Sequence, residues 1–220
     1  TSLIDGEYQE ALDKLRNVVR RDTENVDAYI LIGDILRQMK APENAIKVHR
    51  DLLVRPNLSA AQRRKILVSL AKDYEKNEQY RWALSTCDTL LDLNKKDTWT
   101  WSFKLKLYEH VGDWPGAFDT LRKHVDMPKT EKNVRLGLYK VEQGLQLAAM
   151  QREHDARLAY REALKQNPAC TPAFIELFES YIREKREKDA LKELKKFVQS
   201  EPECACVALE ELKNILFDIG

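Results

Sequence analysis

The chain has 220 residues, enough for one substantial hydrophobic core or two small ones. Its 37 Lys and Arg nearly balance 36 Asp and Glu, for a formal charge of +1. That leaves no cationic excess to displace counterions from a polyphosphate, so nucleic acid is not an expected partner. Only seven Gly and seven Pro interrupt a composition rich in Ala, Leu, Glu, Lys and Gln, which excludes a sheet-dominated fold and points to helices.

The predicted helices recur as one unit. An alanine stands in comparable contexts at Ala11, Ala45, Ala83, Ala117, Ala156 and Ala190, with separations of 34, 38, 34, 39 and 34. Thirty-four is the period of the tetratricopeptide repeat, whose unit is two antiparallel helices, A and B. The expected fold is therefore an all-α tetratricopeptide-repeat solenoid, one array over residues 1–220.

In chain order, "GEYQEA" opens helix B of a partial unit over about residues 1–25. The second unit, 26–59, has helix A in "AYILIGDIL", a turn in "KAPENA" and helix B in "NAIKVHRDLL", which Pro56 stops. In the third unit, 60–97, Ser59 and Gln62 form a capping box for a helix A lengthened by about one turn. The fourth, 98–131, turns at "GDWPGA". The fifth, 132–170, carries "YKVEQGLQL" and ends at "REALKQNP". The sixth, 171–204, turns at "KREKDA" and ends at "VQSEP", and a terminal helix follows over 205–220. Pro168 and Pro202 stand where a proline terminates helix B.

The recurrent alanine lets helix B approach the next helix A closely. Gly33, Ala71 and Gly144 hold the matching place on helix A, where a mid-helix glycine, costing about 1 kcal/mol relative to alanine, points to close packing. Four residues after each alanine stands Leu15, His49, Cys87, Leu121, Tyr160 or Leu194, on the same helix face. His49 thus reads as a core residue with a local hydrogen bond, not a proton-transfer group.

Signs of chemistry are sparse. No G-x-S-x-G, H-E-x-x-H, glycine-rich phosphate loop or EF-hand spacing occurs. Cys87, Cys170, Cys204 and Cys206 form no C-x-x-C pair, and the other histidines, His110, His124 and His154, lack a partner three or four residues on. No enzymatic activity, metal or cofactor is expected. No apolar run approaches the roughly 18 residues that cross a bilayer, so this segment is not expected to insert into a membrane. Its start at Thr1, partway through a repeat, leaves room for an upstream leader or anchor.

The expected activity is protein or peptide binding in a groove lined by A helices. Counting each alanine as repeat position 20, positions 2, 5, 9 and 12 face that groove. They carry charge in the earlier units, including Lys65 and Lys72, and an apolar strip later. Trp99, Leu138, Val141, Leu145 and Ile175 are the expected contact hot spot, with Lys65 and Lys72 beside it. The competing expectation is that the five extra residues before the fifth unit shift its register and bury Leu138 and Leu145. Position 9 holds no Asn, which disfavours the two-carboxylate clamp that receives chaperone tails.

The run "AIKVHRDLLVRPNLSAAQRRKILVSLAKDYEKNEQYRWALSTCDTLLDL" resembles the bacterial lipopolysaccharide assembly protein B family. The resemblance rests on Ile46 with His49, Pro56 with Leu58, Gln62 with Arg63, and Leu70 with Asp73 and Tyr74, and is sharpest over residues 6–125. It implies a cytoplasm-facing adaptor, tethered to the inner membrane by a helix that this sequence lacks. Such an adaptor regulates lipopolysaccharide synthesis by presenting the committing deacetylase to a membrane protease. The family's rubredoxin-like module, with its two C-x-x-C pairs, is likewise missing from these residues. Two other readings remain open: a substrate-recognition arm of a larger enzyme, and an oligomerising structural module. The sequence does not fix the oligomeric state.

Overall fold

The computed structural model describes residues 3–213, and twelve α-helices and no strands occur among them. In order these are α1 (Leu3–Arg21), α2 (Val26–Gln38), α3 (Pro42–Leu53), α4 (Ala60–Lys76), α5 (Tyr80–Leu93), α6 (Thr98–Val111), α7 (Trp114–His124), α8 (Lys129–Ala149), α9 (Glu153–Gln166), α10 (Thr171–Arg183), α11 (Glu187–Ser200) and α12 (Pro202–Glu211). Of the terminal helix expected over 205–220, residues 214–220 lie outside the described residues. The even-numbered helices from α2 to α10 are A helices and their successors are B helices. Contacts divide the chain into two compact units, Thr1–Leu107 and Tyr108–Gly220. In the first, α2 packs on its own B helix α3 and on the next A helix α4; in the second, α8 packs likewise on α9 and α10.

Close packing centres on the repeated alanines. Ala45, Ala83, Ala117, Ala156 and Ala190 have no exposed surface. Ala11, on α1, is half-buried. The A-helix glycines make room for rings. A Cβ on Gly33 would come within 2.5 Å of the His49 imidazole, and one on Gly144 within 2.3 Å of the Tyr160 ring. Ala71 holds the same repeat position in the third unit, where the residue after the alanine by four is the smaller Cys87.

Each A-to-B turn passes through one residue with left-handed backbone: Lys40 (φ 59°), Glu78 (57°), Gly112 (71°), Gln151 (60°) and Lys185 (58°). The left-handed residue reverses the chain after the last helical turn, yet only the turn at Gly112 uses the residue that enters this region without a Cβ penalty.

The two long spacings lengthen A helices at their starts. Ser59 accepts from the Gln62 amide at 3.1 Å while Gln62 accepts from the Ser59 amide at 3.0 Å, so the capping box forms and α4 runs to 17 residues against 13 in α2. The longer α8 has 21 residues.

His49 is fully buried, and its hydrogen bonding is not local. Nε2 lies 3.2 Å from the Ile30 carbonyl and Nδ1 lies 2.5 Å from Asp73 on α4, so one histidine ties α2, α3 and α4 together. Asp73, also fully buried, accepts in turn from Arg37 at 2.6 Å. A buried carboxylate needs such partners, since an unpaired one would cost several kcal/mol on the order of its desolvation.

Candidate functional site

In the first unit, the A-helix face carries a cleft of about 400 Å³ assembled from three helices. α2 supplies Arg37 and Gln38, α4 supplies Lys72, Glu75 and Lys76, and α6 supplies Trp99, Phe103 and Lys106. Spacings of three and four residues put Lys72 with Glu75 and Lys76, and Trp99 with Phe103, on one face of their helices. Trp99 and Phe103 stack with centroids 4.9 Å apart and planes 13° apart. The Lys72 ammonium lies 5.6 Å over the Trp99 ring, a cation–π contact.

Charge in the cleft is unbalanced. Arg37 is held by Asp34 and Asp73, each at 2.6 Å, and by the Ser69 carbonyl. Burial works against its charge, but Asp73 and Asp34 outweigh it and raise the guanidinium pKa. Lys106 pairs with Glu75 at 2.5 Å. Lys72 and Lys76 make no ion pair among the described residues, so the lining presents two uncommitted ammonium groups beside an aromatic pair. Such a surface can hold a peptide that offers carboxylates and an apolar side chain.

The structure divides the expected contact residues. Lys72 and Trp99 meet in this cleft, whereas Lys65 sits on the same face in an exposed ion pair with Asp27 at 3.1 Å. In the second unit, Leu138 (42% exposed) and Leu145 (36%) share one face of α8 with Val134, so the register shift that would bury them does not occur. Val141 must be removed from the contact set, being only 5% exposed and packed among Ala163, Cys170 and Ala173. At about 100° per residue it lies roughly 60° around the helix from Leu138, on the flank closed by α9 and α10. The same offset buries Ile30 in α2, so position 5 faces the core at both places. Ile175 is half-buried against the core around Tyr160 and Phe174, leaving only part of its surface for a partner.

Sequence reasoning passed over Lys76 and Phe103. The signal was present, since each stands four residues after a residue that was chosen, Lys72 and Trp99. Among the described residues no group of His, Cys, Asp or Glu side chains could hold a metal ion. The buried Cys87 thiol is pushed up to about 12 by burial, which leaves it un-ionised at neutral pH. No helix among the described residues is long and apolar enough to cross a membrane.

The family model described as tetratricopeptide repeat matches residues 5–59, which span α1 to α3 and the loop beyond. The fold is an all-α tetratricopeptide-repeat solenoid. The chain is similar to lipopolysaccharide assembly protein B of Escherichia coli strain K12, at 20% identity over 218 residues, covering 99% of this chain and 56% of the relative. The proteins of the same name from strains O6:H1 and O157:H7 give the same figures. The chain thus spans about half the length of the curated relatives it matches. Among solved structures it is similar to YrrB, described as a TPR protein with an unusual peptide-binding site, at 16% identity and TM-score 0.44, covering 89% of this chain and 97% of that one. It is also similar to MamA from Desulfovibrio magneticus RS-1, at 15% identity and TM-score 0.41, covering 81% and 96%. Two residues of the motif that carries the resemblance meet in the fold. The histidine of "IKVH" and the aspartate of "LAKDY" are the two ends of the buried His49–Asp73 hydrogen bond.

Proposed function

We propose that the chain is a protein-interaction scaffold whose A-helix cleft in the first unit holds an acidic segment of a partner, with Trp99 and Phe103 as the apolar contact and Lys72 and Lys76 as the charged one. The observation that carries this reading is the stacked aromatic pair beside two ammonium groups without carboxylate partners. Lys65 in the first unit and, separately, Leu138, Leu145 and the exposed part of Ile175 in the second are proposed as further contact residues on A helices. Likeness to lipopolysaccharide assembly protein B supports the finer reading, an adaptor in lipopolysaccharide assembly that works at the cytoplasmic side of the inner membrane within a longer protein.

The test is complementation of a strain depleted of the full-length protein, read as lipopolysaccharide per phospholipid. Combined Lys72→Glu and Trp99→Ala substitutions should reproduce the depleted ratio. Ser85→Ala, at an exposed position on B helix α5, should restore the normal one. Equal restoration by both variants would contradict the proposal.

A further inference from the structure

The second unit has a separate concavity on its B helices. It is an open pocket of about 340 Å³ between α9 and α11, within the volume range of ligand sites. Its floor is apolar, formed by Leu164 and by the edges of Phe174 and Phe197, whose rings are otherwise buried and stack with centroids 4.2 Å apart and planes 5° apart. Its rim is cationic. Arg161 and Lys165 stand one turn apart on α9, and Lys196 faces them from α11.

The only carboxylate in the lining, Glu193, is already bound to Arg161 at 2.9 Å, and Arg161 is further fixed by the Tyr181 hydroxyl at 2.5 Å. Lys165 has only an exposed pair with Glu162 at 3.2 Å, which water screens heavily, and Lys196 makes no hydrogen bond or ion pair among the described residues. Three cations against two committed carboxylates, Glu193 in the lining and Glu162 beside it, leave the rim net positive at Lys196. The rim is one helical turn long, about 6 Å, so it accommodates a short stretch of chain with one side chain on the aromatic floor.

We propose that this pocket is a second docking site, for an acidic peptide segment of another protein that inserts one aromatic or leucine side chain between its carboxylates. The site belongs to different helices and different residues from the first-unit cleft, so either can fail without the other.

The test uses the whole chain carrying Lys72→Glu and Trp99→Ala, which closes the first-unit cleft to the same acidic chemistry, and fluorescence anisotropy with a labelled Asp-Glu-Phe-Glu-Asp peptide, an Ala-centred version and a Lys-flanked version. Saturable binding of the first should weaken at least tenfold on Lys196→Glu or Lys165→Glu, both at exposed positions that do not touch the core. It should be weaker for the Ala-centred peptide and absent for the Lys-flanked one. The proposal is overturned if no saturable binding occurs or if the Ala-centred peptide binds equally well. It is also overturned if binding in that background is unchanged by both Lys165→Glu and Lys196→Glu. A further arm uses phosphatidylglycerol vesicles in co-sedimentation. Vesicle binding that depends on Lys165 and Lys196, with no peptide binding, would assign the pocket to a membrane surface and overturn the peptide.

Discussion

Gly144 and Gly33 are glycines because the residue opposite is a ring. Gly144→Ala gains about 1 kcal/mol of helix propensity but forces Tyr160 to move, an overpacking cost of typically about 1–3 kcal/mol, so a net loss of stability in urea unfolding is expected. In a double-mutant cycle Tyr160→Leu should relieve that loss; additive effects would contradict the close contact. Nearby, Glu176 behaves unlike most surface acids. Burial, then the charge of Glu179, holds its carboxyl above the usual range, with Arg183 opposing. A raised folded-state value means that the stability contribution is complete at acid pH and is lost as pH rises through that value. Glu176→Gln should therefore melt higher than the parent at neutral pH, with the difference closing below about pH 4; a difference that widens toward acid would show the reverse sign. Small residues at repeat spacing were readable from the sequence because each reports a distance between two backbones. The bond between His49 and Asp73 was not, because periodicity places a polar group on a helix face without saying which polar group on another helix will meet it.

Turns and helix starts carry the next level of specification. Lys40, Glu78, Gln151 and Lys185 are exposed residues in left-handed backbone, a conformation that costs a side chain roughly 1–2 kcal/mol. Against this, glycine has the greater entropy to lose on folding, so Lys40→Gly or Lys185→Gly should stabilise by about 0.5–1 kcal/mol each, measured as a rise in the urea midpoint. Gly112→Ala should destabilise by a similar amount. At the start of α4, Ser59→Ala removes the capping box and should cost about 1 kcal/mol; an unchanged midpoint would show that the added turn is held by packing alone. The capping box was legible because it is a local pattern of two residues. Val141 was misplaced because an A helix is buried on two flanks, Val141 toward α9 and α10 and Tyr139 toward Trp114 and Glu109, and the free strip between them is narrower than four repeat positions suggest.

For the whole chain, near-neutral charge conceals local imbalance. A formal +1 arises from many paired side chains, yet the first-unit cleft keeps Lys72 and Lys76 uncommitted beside Trp99 and Phe103. Partner affinity through that cleft should fall as salt rises from about 0.05 to 0.5 M, because exposed charges are screened over a Debye length near 10 Å at 0.1 M. Salt-independent binding would place the partner elsewhere. The most direct measurement puts a photo-crosslinking amino acid at Lys76, in the A-helix cleft, or at Ser85, on the B helix of the same unit, in the full-length protein in its own cells. A discrete crosslinked partner from position 76, absent from position 85 and lost when Trp99→Ala is added, is the predicted result. Crosslinking from position 85 alone, or from both positions regardless of Trp99, would contradict the assignment of partner binding to this cleft.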